Sequence, residues 1–163
     1  MITNYLSPLE FQVSIKRLPN VEFFVQKAQI PSLTATGVEN PTPFNRTFQV
    51  PDKLTYGDFS LSFIIDEAMN NYLEIYSWLT AITGPQSYSQ FKNINDSEFG
   101  LISDITLLVM NSHKNPNMLI EFKNCFPTTL SSIDLDTTSQ DVTYPEATVD
   151  FQYDYFTISK AIS

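Results

Sequence analysis

Basic side chains are scarce in this chain of 163 residues: nine Lys and Arg stand against 18 Asp and Glu, a formal net charge of −9. That balance argues against gripping nucleic acid, which needs clustered cations, although it leaves open a protein that DNA passes without being held. Cysteine is nearly missing too. Cys125 is alone, so no disulfide can form within the chain, and cytosolic synthesis is the simple expectation. The four glycines, at 37, 57, 84 and 100, are too scattered for a phosphate-cradling loop. No apolar run approaches the roughly 20 residues of a membrane-spanning helix. Residues 1–10 show neither the basic nor the apolar region of a secretory signal, so a soluble product is expected.

The residues that carry chemistry are equally thin. His113, the only histidine, sits in a turn-like run with Ser112, Lys114 and Asn115; a catalytic set would need a carboxylate to cradle it and a nucleophile beside it, and an exposed turn histidine is the expectation. Cys125 follows a strand-like run beside Phe126 and reads as a small buried thiol. Asp134, Asp136 and Asp141 alternate as calcium ligands can, yet the loop glycine and terminal glutamate of an EF-hand are missing. The expectation is no enzyme, no metal and no cofactor.

What is present is hydrophobic, aromatic and β-prone: 42% hydrophobic residues, 13 Phe and 8 Tyr. Phe11, Val13 and Ile15 alternate as a strand, Leu18-Pro19-Asn20 reads as a turn, and Val21, Phe23 and Val25 suggest the return strand of a hairpin. Four prolines punctuate residues 33–53 and their approach, where Phe44 and Phe48 stand out. This segment is expected to project as a hairpin or loop and to touch a neighbouring subunit. Phe59, Leu61, Phe63 and Ile65 form a strand ending at Asp66. There the period changes: Met69, Leu73, Tyr76, Leu79 and Ile82 predict one helix over 67–82, with Asp66 as N-cap and Gly84-Pro85 as stop. Residues 101–110 and 118–123 read as paired strands, and Ala147, Val149, Phe151, Tyr153 and Tyr155 as a last strand. One domain over 1–163 is expected, with an arm at 1–8. Its fold class is mainly β, an antiparallel barrel or sandwich with one flanking helix.

Between Asn124 and Ser159 there is no Lys or Arg, but there are six acids, among them Asp134, Asp136, Asp150 and Asp154. Asp150 and Asp154 fall on one face of the last expected strand. Two readings stand: a solvated polar face, or a surface placed to repel phosphates.

The order of elements resembles the tail tube proteins of contractile-tailed bacteriophages. Three stretches carry the likeness: Phe11-Gln12-Val13-Ser14-Ile15, Phe59-Ser60-Leu61-Ser62-Phe63 running into Asp66-Glu67-Ala68, and Phe126-Pro127-Thr128 followed by Val149-Asp150-Phe151 and Tyr153-Asp154-Tyr155-Phe156. The resemblance implies a structural subunit that forms hexameric rings stacked into a tube. DNA would pass through during ejection, sheath and baseplate proteins would be the partners, and the product would be made in the host cytoplasm and end in the virion tail. Asp134, Asp136, Asp150 and Asp154 are then candidates to face the lumen, and Phe44 and Phe48 to contact the next subunit. Baseplate tube-initiator or tube-terminator proteins share that fold, and a non-viral β-sandwich binding module is the reading from another class.

Overall fold

The computed structural model describes residues 6, 9–84, 87–89, 92, 100–138 and 144–161. The expected arm at 1–8 lies largely outside that set, as does Asp141. In chain order the described elements are β1 (Phe11–Ile15), α1 (Pro19–Phe24), β2 (Val25–Gln29), β3 (Leu33–Ala35), β4 (Val38–Pro41), β5 (Arg46–Gln49) and β6 (Leu54–Tyr56). Then follow β7 (Phe59–Ile64), α2 (Asn70–Thr83), β8 (Ser103–Met110), β9 (Pro116–Leu130), β10 (Glu146–Gln152) and β11 (Tyr155–Lys160). The main sheet runs β1-β8-β9-β10-β7-β2, with β11 also on β9, and every pairing is antiparallel. Its ends, β1 and β2, do not pair with each other, so the barrel alternative gives way to an open, sandwich-like sheet.

The sheet folds over because β9 bends. Ile120 and Phe122 point inward before the bend and Cys125 and Pro127 after it, a change of phase by one residue. Asn124 supplies the extra residue with φ +58°, a left-handed conformation that Asn tolerates better than most. Across the bend, Ser103 pairs with Cys125 but Ile105 with Phe122, two steps on β8 against three on β9. Such a bulge bends a strand and raises its twist. Asp104 secures it from the neighbouring strand: its carboxylate accepts from Lys123 Nζ at 3.0 Å and from the Asn124 N–H at 3.2 Å. A second irregularity, opposite Asp150 and Phe151, lets Pro127 sit within β9. The strand therefore continues to Leu130 instead of stopping near Lys123.

Residues 19–24 are a short helix, not the return strand. Pro19 suits a first helical position, Val21 is buried, and Phe23 is 83% exposed, so the alternation at 21, 23 and 25 was not a sheet pattern. Glu22 Oε2 accepts from the Ile15 N–H at 3.1 Å and fixes the turn. β1 and β2 then part to opposite ends of the sheet.

α2 starts at Asn70 rather than 67, and Asp66 is not its cap. Met69 holds the N-cap position with φ +56°, while the Asn71 amide ties strand end to helix start. Asn71 Nδ2 donates to the Ile64 carbonyl at 2.8 Å, and its Oδ1 accepts from the N–H groups of Asp66 and Tyr72. The buried face is Asn71, Ile75, Trp78 and Ala81, so the expected stripe was set on the wrong side at Leu73 and Tyr76, which are exposed. Trp78 decides the rotation: its Nε1 donates to the Leu101 carbonyl at 2.9 Å, and the Arg17 guanidinium lies 4.9 Å above its ring. With α1, the described residues hold two helices.

The last expected strand is two. β10 ends at Gln152, the chain turns at Asp154, and β11 pairs with the first half of β9. Between the layers lie Phe59, Phe63, Trp78, Phe122 and Phe151, all fully buried, with Phe59 stacked on Phe122 at 4.2 Å.

Candidate assembly surfaces

Residues 33–56 form two nested antiparallel pairs, β3 with β6 at the base and β4 with β5 beyond. The tip turns between Thr42 and Asn45, whose backbone and side chains bond one another. At the base the chain passes itself so closely that a Cβ on Gly57 would meet Ser32 Oγ at 2.8 Å and Ser32 N at 3.3 Å, so a side chain there would make Ser32 shift. Tyr153 donates its O–H to the Gly57 carbonyl at 2.8 Å, and burial pushes that phenol up to about 12. Beyond this anchor the hairpin is bare. Phe44 is 100% exposed and Phe48 67%, with Val38 and Val50 beside them. A Phe left in water instead of buried forgoes about 1.5–3 kcal/mol.

Apolar surface also opens at the start of α2. A groove of about 560 Å³ is lined by Phe24, Ile65, Met69, Ile133, Leu135 and Tyr144. Asp66 and Glu67 edge it, and neither is in an ion pair among the described residues. A smaller groove, about 320 Å³, lies between β1 and β2, the two ends of the main sheet among the described residues. The sequence reading missed both. The one available signal was Leu135, a lone large apolar residue between two aspartates and 86% exposed.

The candidate acids are dispersed. Asp150 lies on the outward face of β10, where it accepts from Ser60 Oγ of β7. The neighbouring pair on that face, Ser62 and Thr148, joins hydroxyl to hydroxyl at 3.1 Å, so this surface is small and polar. Asp154 is not on that strand; it sits in the β10–β11 turn and accepts from Asn124 Nδ2. Asp134 and Asp136 are exposed on either side of Leu135. Thr138 hydrogen bonds hold the Asp136 carboxyl below the usual carboxylate range.

His113 is exposed in the Asn111–Asn115 turn, with Ser112 Oγ 3.3 Å from its Nδ1. Cys125 is buried, and desolvation pushes its thiol up to about 12, far from a reactive thiolate. Among the described residues no group of three His, Cys, Asp or Glu could hold a metal, and no helix is long and apolar enough to cross a membrane.

No curated protein matches the chain in sequence. Solved structures do share its fold. The anti-feeding prophage tube-terminating cap superposes with a TM-score of 0.70 at 19% identity, covering 99% of this chain and 95% of that one. The PVC sheath–tube complex of an extracellular contractile injection system gives 0.63 at 16%, over 98% and 95%. The Hcp1 protein of the E. coli EAEC 042 pathovar gives 0.55 at 10%, over 93% and 92%. At these identities the likeness is one of fold. The family model described as phage tail tube protein matches residues 4–159, nearly the whole length, and the chain therefore belongs to the phage tail tube protein family.

Proposed function

We propose that this chain is the repeating subunit of a phage tail tube, six copies to a ring and ring upon ring, inside a contractile sheath and on a baseplate. It does no chemistry; it shapes a conduit for DNA in the virion tail, and it is made in the cytoplasm of the host bacterium. The observation that carries the reading is the bare hairpin at 38–49. Its Phe44 and Phe48 find no cover within the protomer, and assembly is the economical way to cover them. Deleting 40–48 should leave a folded monomer, while negative-stain microscopy of the concentrated parent should show rings or tubes. Tubes formed equally well by the deletion variant would rule the hairpin out. The folds of tube-terminating caps favour a second reading, a cap or initiator, and copy number per particle separates them: many tens for a tube, six for a cap.

The polar face of β7 and β10 is the wall we assign to the lumen, with Asp150 on it and Asp154 at its end. Serine and threonine hydroxyls there bond one another and Asp150, and the neighbouring cation, Lys27 opposite Ser62, lies 3.5 Å from Glu146. Around a ring, acids of the same sign as phosphate keep the conduit from holding what it conducts. Replacing Asp150 and Asp154 by Lys should make tubes retain DNA, with retention falling steeply as salt rises. Unchanged delivery by that variant would place these two residues elsewhere.

A further inference from the structure

The bare hairpin and the 560 Å³ groove lie at opposite ends of the same three strands. In the β2–β7–β10 pairing, Val25 lies against Phe63 and Glu146 against Ile64, and this end adjoins Phe24, Ile65 and Pro145 of the groove. At the other end Gln29 lies against Ser60 and Phe151 against Phe59, and there the hairpin leaves after Ile30 and returns at Gly57. The six residues of β7 put roughly 20 Å between the two.

We propose that the groove is a socket for the hairpin tip of a second copy of this chain, an inference that rests on the tube reading and gives its stacking contact a partner. Shape and chemistry agree. Phe44 is a single fully exposed aromatic at a two-stranded tip, and the groove is walled by large apolar side chains. Charge agrees as well. Arg46 follows Phe44 by two residues and holds only a 3.9 Å, solvent-exposed contact with Glu39. Such a pair is worth little and is readily exchanged. The groove offers Asp66 and Glu67 at its edge, with Asp134 and Asp136 on either side of Leu135. Those last two aspartates thereby gain a role at the end of the protomer instead of on the lumen wall. Met69, left-handed at the helix cap, contributes a flexible, polarisable side chain suited to gripping a ring. A knob at one end and a socket at the other make a heterologous contact, which propagates along an axis instead of closing on a pair.

Two experiments test this. In the first, Asn45→Cys and Thr137→Cys are combined; both sites are exposed beside Phe44 and Leu135, which are kept, and the native Cys125 is buried and silent. Oxidation of assembled protein should give a ladder of covalent multimers, and an Asn45→Cys variant alone should not. No ladder, or dimers only, overturns the proposal. In the second, Arg46→Glu and Glu67→Lys should each raise the concentration of half-assembly by about tenfold, and the double variant should return to within about twofold of the parent. A double variant no better than either single one overturns the charge pairing and with it the assigned socket. If parent tubes form while these variants assemble like the parent, the socket is wrong and the tube reading stands. A parent that stays monomeric at all concentrations removes both.

Discussion

Replacing Asn71 by Leu tests whether one buried amide sets the strand-to-helix junction. Leucine keeps the branching and heavy-atom count of asparagine, its bulkier methyls add some crowding at this buried site, and three hydrogen bonds disappear. The Tyr72 N–H belongs to the first helical turn, where an unpaired donor is ordinary. The Ile64 carbonyl and the Asp66 N–H are part-buried and lose the partner that Asn71 gave them. Each stranded group costs about 1–3 kcal/mol, and the added apolar burial returns about 1 kcal/mol. The net loss is therefore about 1–5 kcal/mol, which lowers the melting temperature by roughly 2–20 °C in a domain of this size. Urea unfolding should show a lower midpoint with an unchanged slope. Asn71→Asp sharpens the test, because at neutral pH it sets a carboxylate oxygen against the Ile64 carbonyl. Burial raises that carboxyl, so its penalty is present above its folded pKa and fades as pH falls towards about 4. A loss below about 1 kcal/mol for Asn71→Leu, the least that one stranded group should cost, would refute the reasoning.

The Asp104–Lys123 pair at the β9 bend predicts a pH window. Burial pushes the Asp104 carboxyl up, but the bonds from Lys123 and Asn124 outweigh it and hold the carboxyl low; the Asp104 bond raises Lys123. The depressed acid contributes above its unfolded value and loses this as pH falls through the folded one. The raised lysine contributes below its unfolded value and loses this as pH rises through the folded one. Lys123→Met should therefore cost a constant amount between about pH 4 and 10, roughly 0.2–1 kcal/mol because both side chains are partly exposed. A cost unchanged well below that range would contradict it. Cys125 should resist thiol reagents at pH 8 in folded protein and react once in denaturant; stoichiometric labelling of the native protein would contradict the burial described.

Much of the fold was legible where burial follows a regular period. Phe59, Leu61 and Phe63 alternate along a strand packed on one face, and Val13 and Ile15 do the same. The reading failed where one side chain's hydrogen bonds overrode the pattern. Trp78 turned the helix to satisfy its indole N–H, and Glu22 held residues 19–24 in a helical turn despite three alternating hydrophobics. Asn71 and Asn124 look like ordinary polar residues in a sequence, and their importance comes from a buried amide and a left-handed φ. Four prolines and two phenylalanines set the hairpin segment apart in the sequence. The groove was not legible there, because Phe24, Met69, Leu135 and Tyr144 come from four separate places in the chain.

Asn124 is also an insertion in the geometrical sense. Without it, Ile120, Phe122, Cys125 and Pro127 would fall in unbroken alternation along one straight strand, with the same side chains still facing inward. Fourteen residues would remain of the present 15, about 46 Å of unbent ribbon. No hydrophobic residue would be lost and no inward position exposed, yet the halves carrying β8 and β11 on one side and β10 on the other would lie side by side instead of closing over a common core. Curvature in this protomer is thus written as a count of residues rather than as a choice of side chain. A lineage could change how far the two halves of this sheet close over one another by gaining or losing one position at that corner, while leaving the composition of its core untouched.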